Sequence, residues 1–328
     1  MQGQAMEMSV HTTKRLKVMT LAGGPDRERP VSLNSGHNVT HALIEAGHEV
    51  ITGDILPDDL SMLDKFEAWQ GDVIFPVLHG SWGEGGGLQA ILDQRRFRYV
   101  GSRTDAAIRC MDKHLAKDVL TQQNIPTPAY EYLARGQQRS LKLPVVIKAP
   151  REGSSIDLAI CHTQEDYDQA LRNLQDRHEH LLVEQFIAGK ELTVGIIPVG
   201  PEGKADGGNP VLHGYQALPA IHIVPATTYY DYQAKSTRED TQYRFDIDLP
   251  AEVLIRVRQL ALQAHQALDC RHLSRVDFII DAQHRPWILE ANTIPGFTGH
   301  SLLPMAARQA GLSMPALVDR LVQAAMKS

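Results

Sequence analysis

Two carboxylates, a carboxamide and a guanidinium fall on one face of the stretch Ser274–Phe297, SRVDFIIDAQHRPWILEANTIPGF. Alternation puts Arg275 and Asp277 on one side of a first strand and Val276, Phe278 and Ile280 on the other. After a turn at AQHR, Trp287 and Leu289 are apolar, and Glu290 and Asn292 share the opposite face. With Ala282 to Arg285 as the loop, Asp281 pairs with Pro286, which sets Asp277 opposite Glu290 and Arg275 opposite Asn292. Directly opposed β-carbons lie about 5 Å apart. Arg275 could neutralise both carboxylates as a partly buried ion-pair cluster. One guanidinium facing two carboxylates nevertheless leaves a surplus of negative charge, and like charges this close resist joint ionisation unless a further cation joins them. Asp277, Glu290 and Asn292 are hard oxygen donors of the kind Mg²⁺ takes. Because Mg²⁺ completes its shell with substrate phosphates, a nucleotide is expected nearby.

A second constellation is VVIKAPREGSSI. Lys148 ends a β-rich run, and Gly153-Ser154-Ser155 follows five residues on. A turn of small residues exposes N–H groups and hydroxyls that can fold over phosphate oxygens, and Lys148 can add a point charge. It is not a P-loop pattern, and a surface hairpin has the same signature. Lys113, in MDKHLAK, reads by itself as a solvated helix lysine. Glu184 and Glu191, in LLVEQFIAGKELTV, could accept from an adenine amino group or a ribose hydroxyl, or face solvent. AGGPDRERPVS and LHGSWGEGG each follow an expected parallel strand and precede a helix, where α/β sheets place substrates. Glu28 and His79 are the candidates there to meet a small zwitterion.

The elements that must position these residues fall into three blocks. LKVMTLAGG, EVITGDI, DVIFPVLHG and RYVGS read as strands alternating with helices at VSLNSGHNVTHALIEAG and GLQAILDQRR, a parallel α/β layer over residues 14–102. Residues 103–186 read as a small α+β unit, with a helix ending before Pro126 and Pro128, two strands around the Gly-Ser turn, a helix at TQEDYDQALRNLQ and a strand at HLLVEQFI. Residues 187–328 carry further strands, a polar loop over 230–245, a helix at AEVLIRVRQLALQAHQAL, the opening hairpin and a last helix at ALVDRLVQAA. Residues 1–13 read as a disordered tail without a signal-peptide core. The net charge of −6, with no basic tract bearing interleaved aromatics, argues against nucleic acid as a partner. No apolar run approaches a membrane span. The three cysteines, Cys110, Cys161 and Cys270, are odd in number and widely spaced, which fits core positions in a reducing, cytoplasmic compartment.

Taken together, EGSSI, LPAIHIVPATTYYDYQAK, RVDFIID, LEANTIPGFTGHSLLPMAARQAG, LHGSWGEGGGLQAIL and MDK make the chain resemble the D-alanine–D-alanine ligases of the ATP-grasp superfamily, from about Lys17 to the C-terminus. The resemblance implies an α/β, three-lobed ATP-grasp fold that clamps ATP between its central and C-terminal lobes with two Mg²⁺ (or Mn²⁺). It implies that Lys113, Lys148 and Lys235 contact phosphates, with Glu152, Ser154 and Ser155 around them. Glu184 and Ile187 would hold adenine and Glu191 the ribose, while Asp277, Glu290 and Asn292 would be the metal ligands. Glu28 would bind the first D-alanine's ammonium near His79, and Arg275 and the Gly296 N–H would stabilise an oxyanion. Ser301 and Leu302 would receive the second D-alanine's carboxylate, and Ser154 and Lys235 would act in catalysis.

The implied reaction joins two D-alanines through an acyl phosphate, for peptidoglycan precursors, and the implied partners are ATP, two molecules of D-alanine and a second copy of the chain as a homodimer. Three residues depart from the family's usual pattern. Ser236 follows Lys235 where tyrosine is usual, which raises D-serine, D-lactate or another amine as the alternative second substrate. Asp157 replaces a glycine beside the phosphate loop, and Gln185 a lysine of the adenine pocket. An acyl phosphate must also be kept from water, so the loop over 230–245 is expected to act as a lid.

Overall fold

A computed structural model describes residues 14–153, 157–200, 203–224 and 241–328. Residues 1–13, expected as a tail, lie outside these, as do Ser154, Ser155, Lys235 and Ser236.

The chain opens with a parallel sheet in the order β2-β1-β3, formed by β1 (Lys17–Gly23), β2 (Glu49–Ile55) and β3 (Val73–Pro76). Its connections are α1 (Arg29–Glu45) and α2 (Ser61–Ala68), and α3 (Gly80–Gly83) and α4 (Gly87–Gln94) follow β3. Parallel strands are covered on both faces, and β1 obeys: Val18, Met19 and Leu21 are fully buried. Met19, Leu21 and Ile74 pack under α2 and α4 with Leu63, Phe66 and Leu88. The other face, with Val18, Phe75 and Val77, packs against the two last helices. RYVGS does not form the fourth strand expected. It contributes a single parallel bridge, Tyr99 to Ile74, because Ile74 has only its Arg98 and Val100 neighbours to bond before Pro76 and the turn end β3. Helix α2 was hidden by the polar residues of SMLDKFEA, of which only Leu63 and Phe66 are buried.

Helices α5 (Thr104–Met111) and α6 (Lys113–Gln122) lead into an antiparallel sheet in the order β4-β7-β5-β6. It comprises β4 (Tyr130–Ala134), β5 (Val145–Lys148), β6 (Leu158–Cys161) and β7 (His180–Gln185), with α7 (Gln164–Gln175) packed on one face. Thr163 and Asp166 form the capping box that starts α7.

The third sheet is built on β8 (Gly189–Pro198). Along one edge β8 pairs over its length with β13 (Ser274–Asp281), which pairs in turn with β14 (Pro286–Asn292). Its other edge takes β11 (Ile221–Val224) and β10 (Tyr215–Ala217), extended by β12 (Gln242–Arg244) and β9 (Val211–Leu212). Helix α8 (Ala251–Ala267) covers one face. Helices α9 (Leu302–Gln309) and α10 (Met314–Ala325) join the opposite side to the parallel sheet, where Phe75 meets Phe297 edge-to-face at 5.4 Å. Of the loop expected over 230–245, the described part holds β12, a strand paired to β11; residues 225–240 lie outside the described residues.

The hairpin register agrees with expectation where the chemistry sits and departs at the turn. Asp277 opposes Glu290 and Arg275 opposes Asn292. Nearer the turn Ile280, not Asp281, pairs with Pro286. The turn is one residue shorter than expected: Asp281 and Arg285 bond through the Asp281 N–H, and His284 supplies a left-handed residue, φ 60°. A bulge at Leu289 restores the register, so the buried residues of β14 are Ile288 and Ala291 in place of the expected Trp287 and Leu289. Asp281 organises this turn, accepting from the N–H groups of Gln283 and Arg285 at 2.9 Å each, Arg285 Nε at 2.7 Å and Trp287 Nε1 at 3.0 Å. Charge-assisted bonds of this kind contribute about 1.5–3 kcal/mol. Asp281→Ala is therefore expected to lower the unfolding free energy in urea by about 2–3 kcal/mol. A loss within the scatter of ordinary surface substitutions, about 0.5 kcal/mol, would contradict this role.

Candidate active site

A cavity of about 840 Å³ opens between the carboxyl ends of the parallel strands and the hairpin, with the α5–α6 junction on its wall. It brings together Glu28, His79, Lys113, Arg275, Glu290, Asn292, Gly296, Ser301 and Leu302. The parallel sheet contributes from beyond the carboxyl ends of its strands, Glu28 from the turn entering α1 and His79 from the segment after β3. The hairpin contributes from the end remote from its turn, where β13 is held on both sides by β8 and β14.

On the acidic face Arg275 grips Asp277 with two bonds, Nε to Oδ1 at 2.9 Å and Nη2 to Oδ2 at 2.7 Å. Thr193, opposite Asp277 on β8, donates its hydroxyl to Oδ1. Asp277 is only 5% exposed, so this pairing compensates the loss of hydration. Lys113 Nζ approaches Glu290 at 3.5 Å and donates to the Glu152 carbonyl at 2.7 Å. Asp112, capping α6 with bonds to the N–H groups of His114 and Leu115, also holds Arg151 at 2.8 Å. Asn292 Oδ1 accepts the Ile294 N–H at 2.9 Å.

At the parallel-sheet end the environment is drier. Burial, with Arg275 adding to it against the pull of Glu28, keeps the His79 imidazole neutral at neutral pH. Its Nε2 is buried with no hydrogen-bond partner among the described residues. Burial and the charge of Glu28 push the Glu84 carboxyl up to about 8. Its Oε1 accepts the Gly80 N–H at 3.3 Å. Gly80 has φ 79°, and a β-carbon there would collide with Asp26, whose own carboxyl is raised by burial. Across the cavity a β-carbon on Gly296 would sit 2.7 Å from Ser301 Oγ, so only glycine leaves its backbone approachable. Ser301 Oγ accepts the Thr298 N–H at 2.9 Å and does not cap α9, which leaves that helix's first amides for another acceptor.

Deeper lies a charge cluster that sequence reading only half foresaw. Glu184, which was expected at the adenine, is 2% exposed and has Lys148 Nζ at 2.9 Å and Lys117 Nζ at 3.1 Å. Burial opposes its charge, but the two lysines outweigh it and hold its carboxyl below the usual range. Burial in turn brings Lys117 down to about 8. Lys117 also donates to Thr127 Oγ1 at 2.6 Å, and Thr127 donates to the Ile288 carbonyl of β14. The signal for Lys117 was its place one helical turn after Lys113, on the same side of α6. Ile187 and Glu191 are half-buried between β7 and β8 and along β8, and Glu152 is exposed. Ser154, Ser155 and Lys235 lie outside the described residues.

Comparison with known proteins gives this geometry a family. Residues 118–323 match the family described as D-ala D-ala ligase C-terminus. The chain is 39% identical over 302 residues to the D-alanine–D-alanine ligase of Bordetella avium, covering 90% of each. It is 38% identical to that of Pelotomaculum thermopropionicum, over 95% of this chain and 98% of the relative. The crystal structure of the Bacillus anthracis D-alanine–D-alanine ligase superposes with a TM-score of 0.78 at 27% identity, covering 95% of this chain and 98% of that one. Its complex with ATP gives 0.75 at 26% identity. The chain belongs to the D-alanine–D-alanine ligase family. Its fold is the mixed α/β ATP-grasp fold of that family.

Two departures from the family's usual pattern have local explanations. Asp157, φ 54°, puts its carboxylate on Arg177 Nη1 and His178 Nε2, both at 2.6 Å, so its charge is already balanced beside the phosphate loop. Gln185 donates to the Pro144 carbonyl at 2.8 Å and so braces the end of β7 against the start of β5.

Glu84 supplies a pH signature. The folded protein keeps its proton to about pH 8, whereas an unfolded chain releases it near 4.5, so stability falls as pH rises between these values. Glu84→Gln is expected to gain stability over the parent progressively from about pH 5 to about pH 8, on the order of 1 kcal/mol per pH unit. Differential scanning calorimetry checks it; a difference that does not change with pH would contradict the assignment.

Proposed function

We infer that the protein is an ATP-dependent ligase that joins two D-alanines into D-alanyl-D-alanine through an acyl phosphate, for peptidoglycan precursor synthesis. The observation that carries this is the single cavity in which Glu28 and His79, at the ends of the parallel strands, meet Arg275, Glu290 and Asn292 of the hairpin. It occurs in a chain that matches its D-alanine–D-alanine ligase relatives along nearly their whole length.

In this reading Glu28 takes the ammonium of the first D-alanine, and His79 offers its unpartnered Nε2 to the same substrate. The substrate carboxylate attacks the γ-phosphorus of ATP. Both carry negative charge, so cations must bring them together. Lys113 stands between Glu290 and the Glu152 carbonyl, at the entrance to the phosphate loop, and Lys148 stands on Glu184. Lys235, with Ser154 and Ser155, would close on the transferred phosphate. The amine of the second D-alanine then attacks the acyl carbon, with its carboxylate at Ser301 and the first amides of α9. Arg275 and the Gly296 N–H would face the developing oxyanion, each contributing about 3–4 kcal/mol.

The acidic face fits Mg²⁺ by its chemistry. Asp277 and Glu290 supply anionic oxygens, and Asn292 Oδ1 accepts one N–H and keeps a second lone pair. Two Mg²⁺ (or Mn²⁺) held by Asp277, Glu290 and Asn292 would cancel charge on the triphosphate. Adenine and ribose would lie along Ile187, Glu184 and Glu191. No helix among the described residues is long and apolar enough to cross a membrane. A cytoplasmic homodimer completes the reading.

Mass spectrometry of the product from ATP with competing D-alanine, D-serine and D-lactate tests it. D-alanyl-D-alanine is the expected product; a mixed product alone would move the assignment to the variant raised by Ser236, and no ADP release with any of them would overturn it. Glu290→Gln is expected to lower kcat by about 100-fold or more, the scale of a lost transition-state electrostatic contact. Its thermal unfolding should stay close to the parent's, and a variant as active as the parent would refute the metal role of Glu290.

A further inference from the structure

Cys110 and Cys270 are 160 residues apart in the chain, yet their sulfurs lie 3.6 Å from one another. Cys110 sits in the last turn of α5, and Cys270 in the turn between α8 and β13. Sulfurs in a disulfide are about 2.05 Å apart, so closing a bond requires an approach of about 1.5 Å. Both residues are buried, but each borders open space. Cys110 lines the active-site cavity, and Cys270 lines a separate cavity of about 440 Å³ with Arg103, Tyr215 and His265. Each residue thus lies on the wall of a cavity that a small oxidant can enter. The third cysteine, Cys161, lies in β6 of another sheet; burial raises its thiol to about 11, and the bond to Cys270 together with burial raises that of Cys110, so position and not acidity sets the pair apart.

We propose that Cys110 and Cys270 are a redox modification site, closing as a reversible intramolecular disulfide that clamps the α5–α6 junction and slows turnover. The reactant is a hydroperoxide. Hydrogen peroxide oxidises one thiol to a sulfenic acid, releasing one water, and the neighbouring thiol displaces hydroxide from that sulfur as a second water. Two thiols and one peroxide thus give one disulfide and two waters. A dithiol reductant returns both thiols.

The consequence follows from what lies beside Cys110. Met111 lines the cavity, Asp112 caps α6 and holds Arg151, and Lys113 reaches Glu290 and the Glu152 carbonyl. The turn bearing Cys270 is tied to α5 and to the segment that enters it: Arg271 Nε donates to the Gly101 carbonyl at 3.0 Å, the Arg271 N–H to Ser102 Oγ at 3.1 Å, and Arg109 of α5 to the Leu268 carbonyl at 2.8 Å, so the two sulfurs are held close. Closing the bond would pull on the last turn of α5, three residues before Lys113, and shift Lys113 against Glu290 and the Glu152 carbonyl. The effect on turnover rests on the ligase reading; the disulfide itself does not.

The full-length protein, treated with hydrogen peroxide and then alkylated and digested without reductant, tests both parts. The expected result is a peptide pair joined through Cys110 and Cys270, two hydrogens lighter than the sum, with Cys161 alkylated. Turnover should fall by about tenfold or more, within the range that misplacements near 1 Å produce, and return with dithiothreitol. Cys270→Ser should keep the untreated rate and resist the treatment. Alkylated Cys110 and Cys270 after peroxide would overturn the site, whether or not the protein turns over. A quantitative disulfide with an unchanged rate, in a protein active before treatment, would overturn the clamp.

Discussion

The two-bond grip of Arg275 on Asp277 places a carboxylate inside a sheet where water scarcely reaches it. Leaving that charge unpaired would cost several kcal/mol, so the surroundings must supply positive charge and donors at fixed positions. Thr193 does so from β8, and Arg275 from the next residue on the same face of β13. Glu290 meets the same demand through Lys113, carried on a helix of another layer. The hairpin is thereby tied through Lys113 to the start of α6 and to the Glu152 carbonyl. A site tuned this way is already compensated before any nucleotide arrives, and cations brought by a ligand would replace side-chain cations in an arrangement built for positive charge.

The opposite end of the cavity works by dehydration. His79 is neutral, Glu84 retains its proton near neutral pH, and Glu28 lines the same cavity, its charge felt by both. A substrate ammonium entering there would reverse the cost of ionising Glu84, so binding and proton release would be linked. This end depends on the apolar layer that joins the parallel sheet to α9 and α10. Phe297, fully buried against Phe75, also donates its N–H to Ser35 Oγ and accepts from Asn38 at its carbonyl. These bonds tie the Gly296–Ser301 segment to α1, and so to Glu28.

Much of this was legible in the sequence because alternation and charge speak together in the hairpin. Asp277 opposite Glu290 follows from strand period alone, since a one-residue slip would bury charge and expose Val276 and Phe278. The same reasoning missed the bulge at Leu289 and the shorter turn, whose shifts offset one another before Glu290. His284 carries the left-handed conformation without the glycine that would have announced it. Lys117 and the Cys110–Cys270 pair were illegible for another reason: their partners are far away in sequence, and only tertiary packing joins them. Glu184 looked like a surface acceptor at a strand end because nothing local showed that two lysines would cover it.

In the function proposed, divalent cations together with a triphosphate complete the hairpin's acidic face. Isothermal titration of the protein with a non-hydrolysable ATP analogue, with magnesium and then with chelator, measures this directly. Affinity about 100-fold or more tighter with magnesium is expected, as where a bound cation supplies several kcal/mol of charge stabilisation. The same affinity with and without the metal would mean that Arg275 and Lys113 already satisfy the face, and the account would fail.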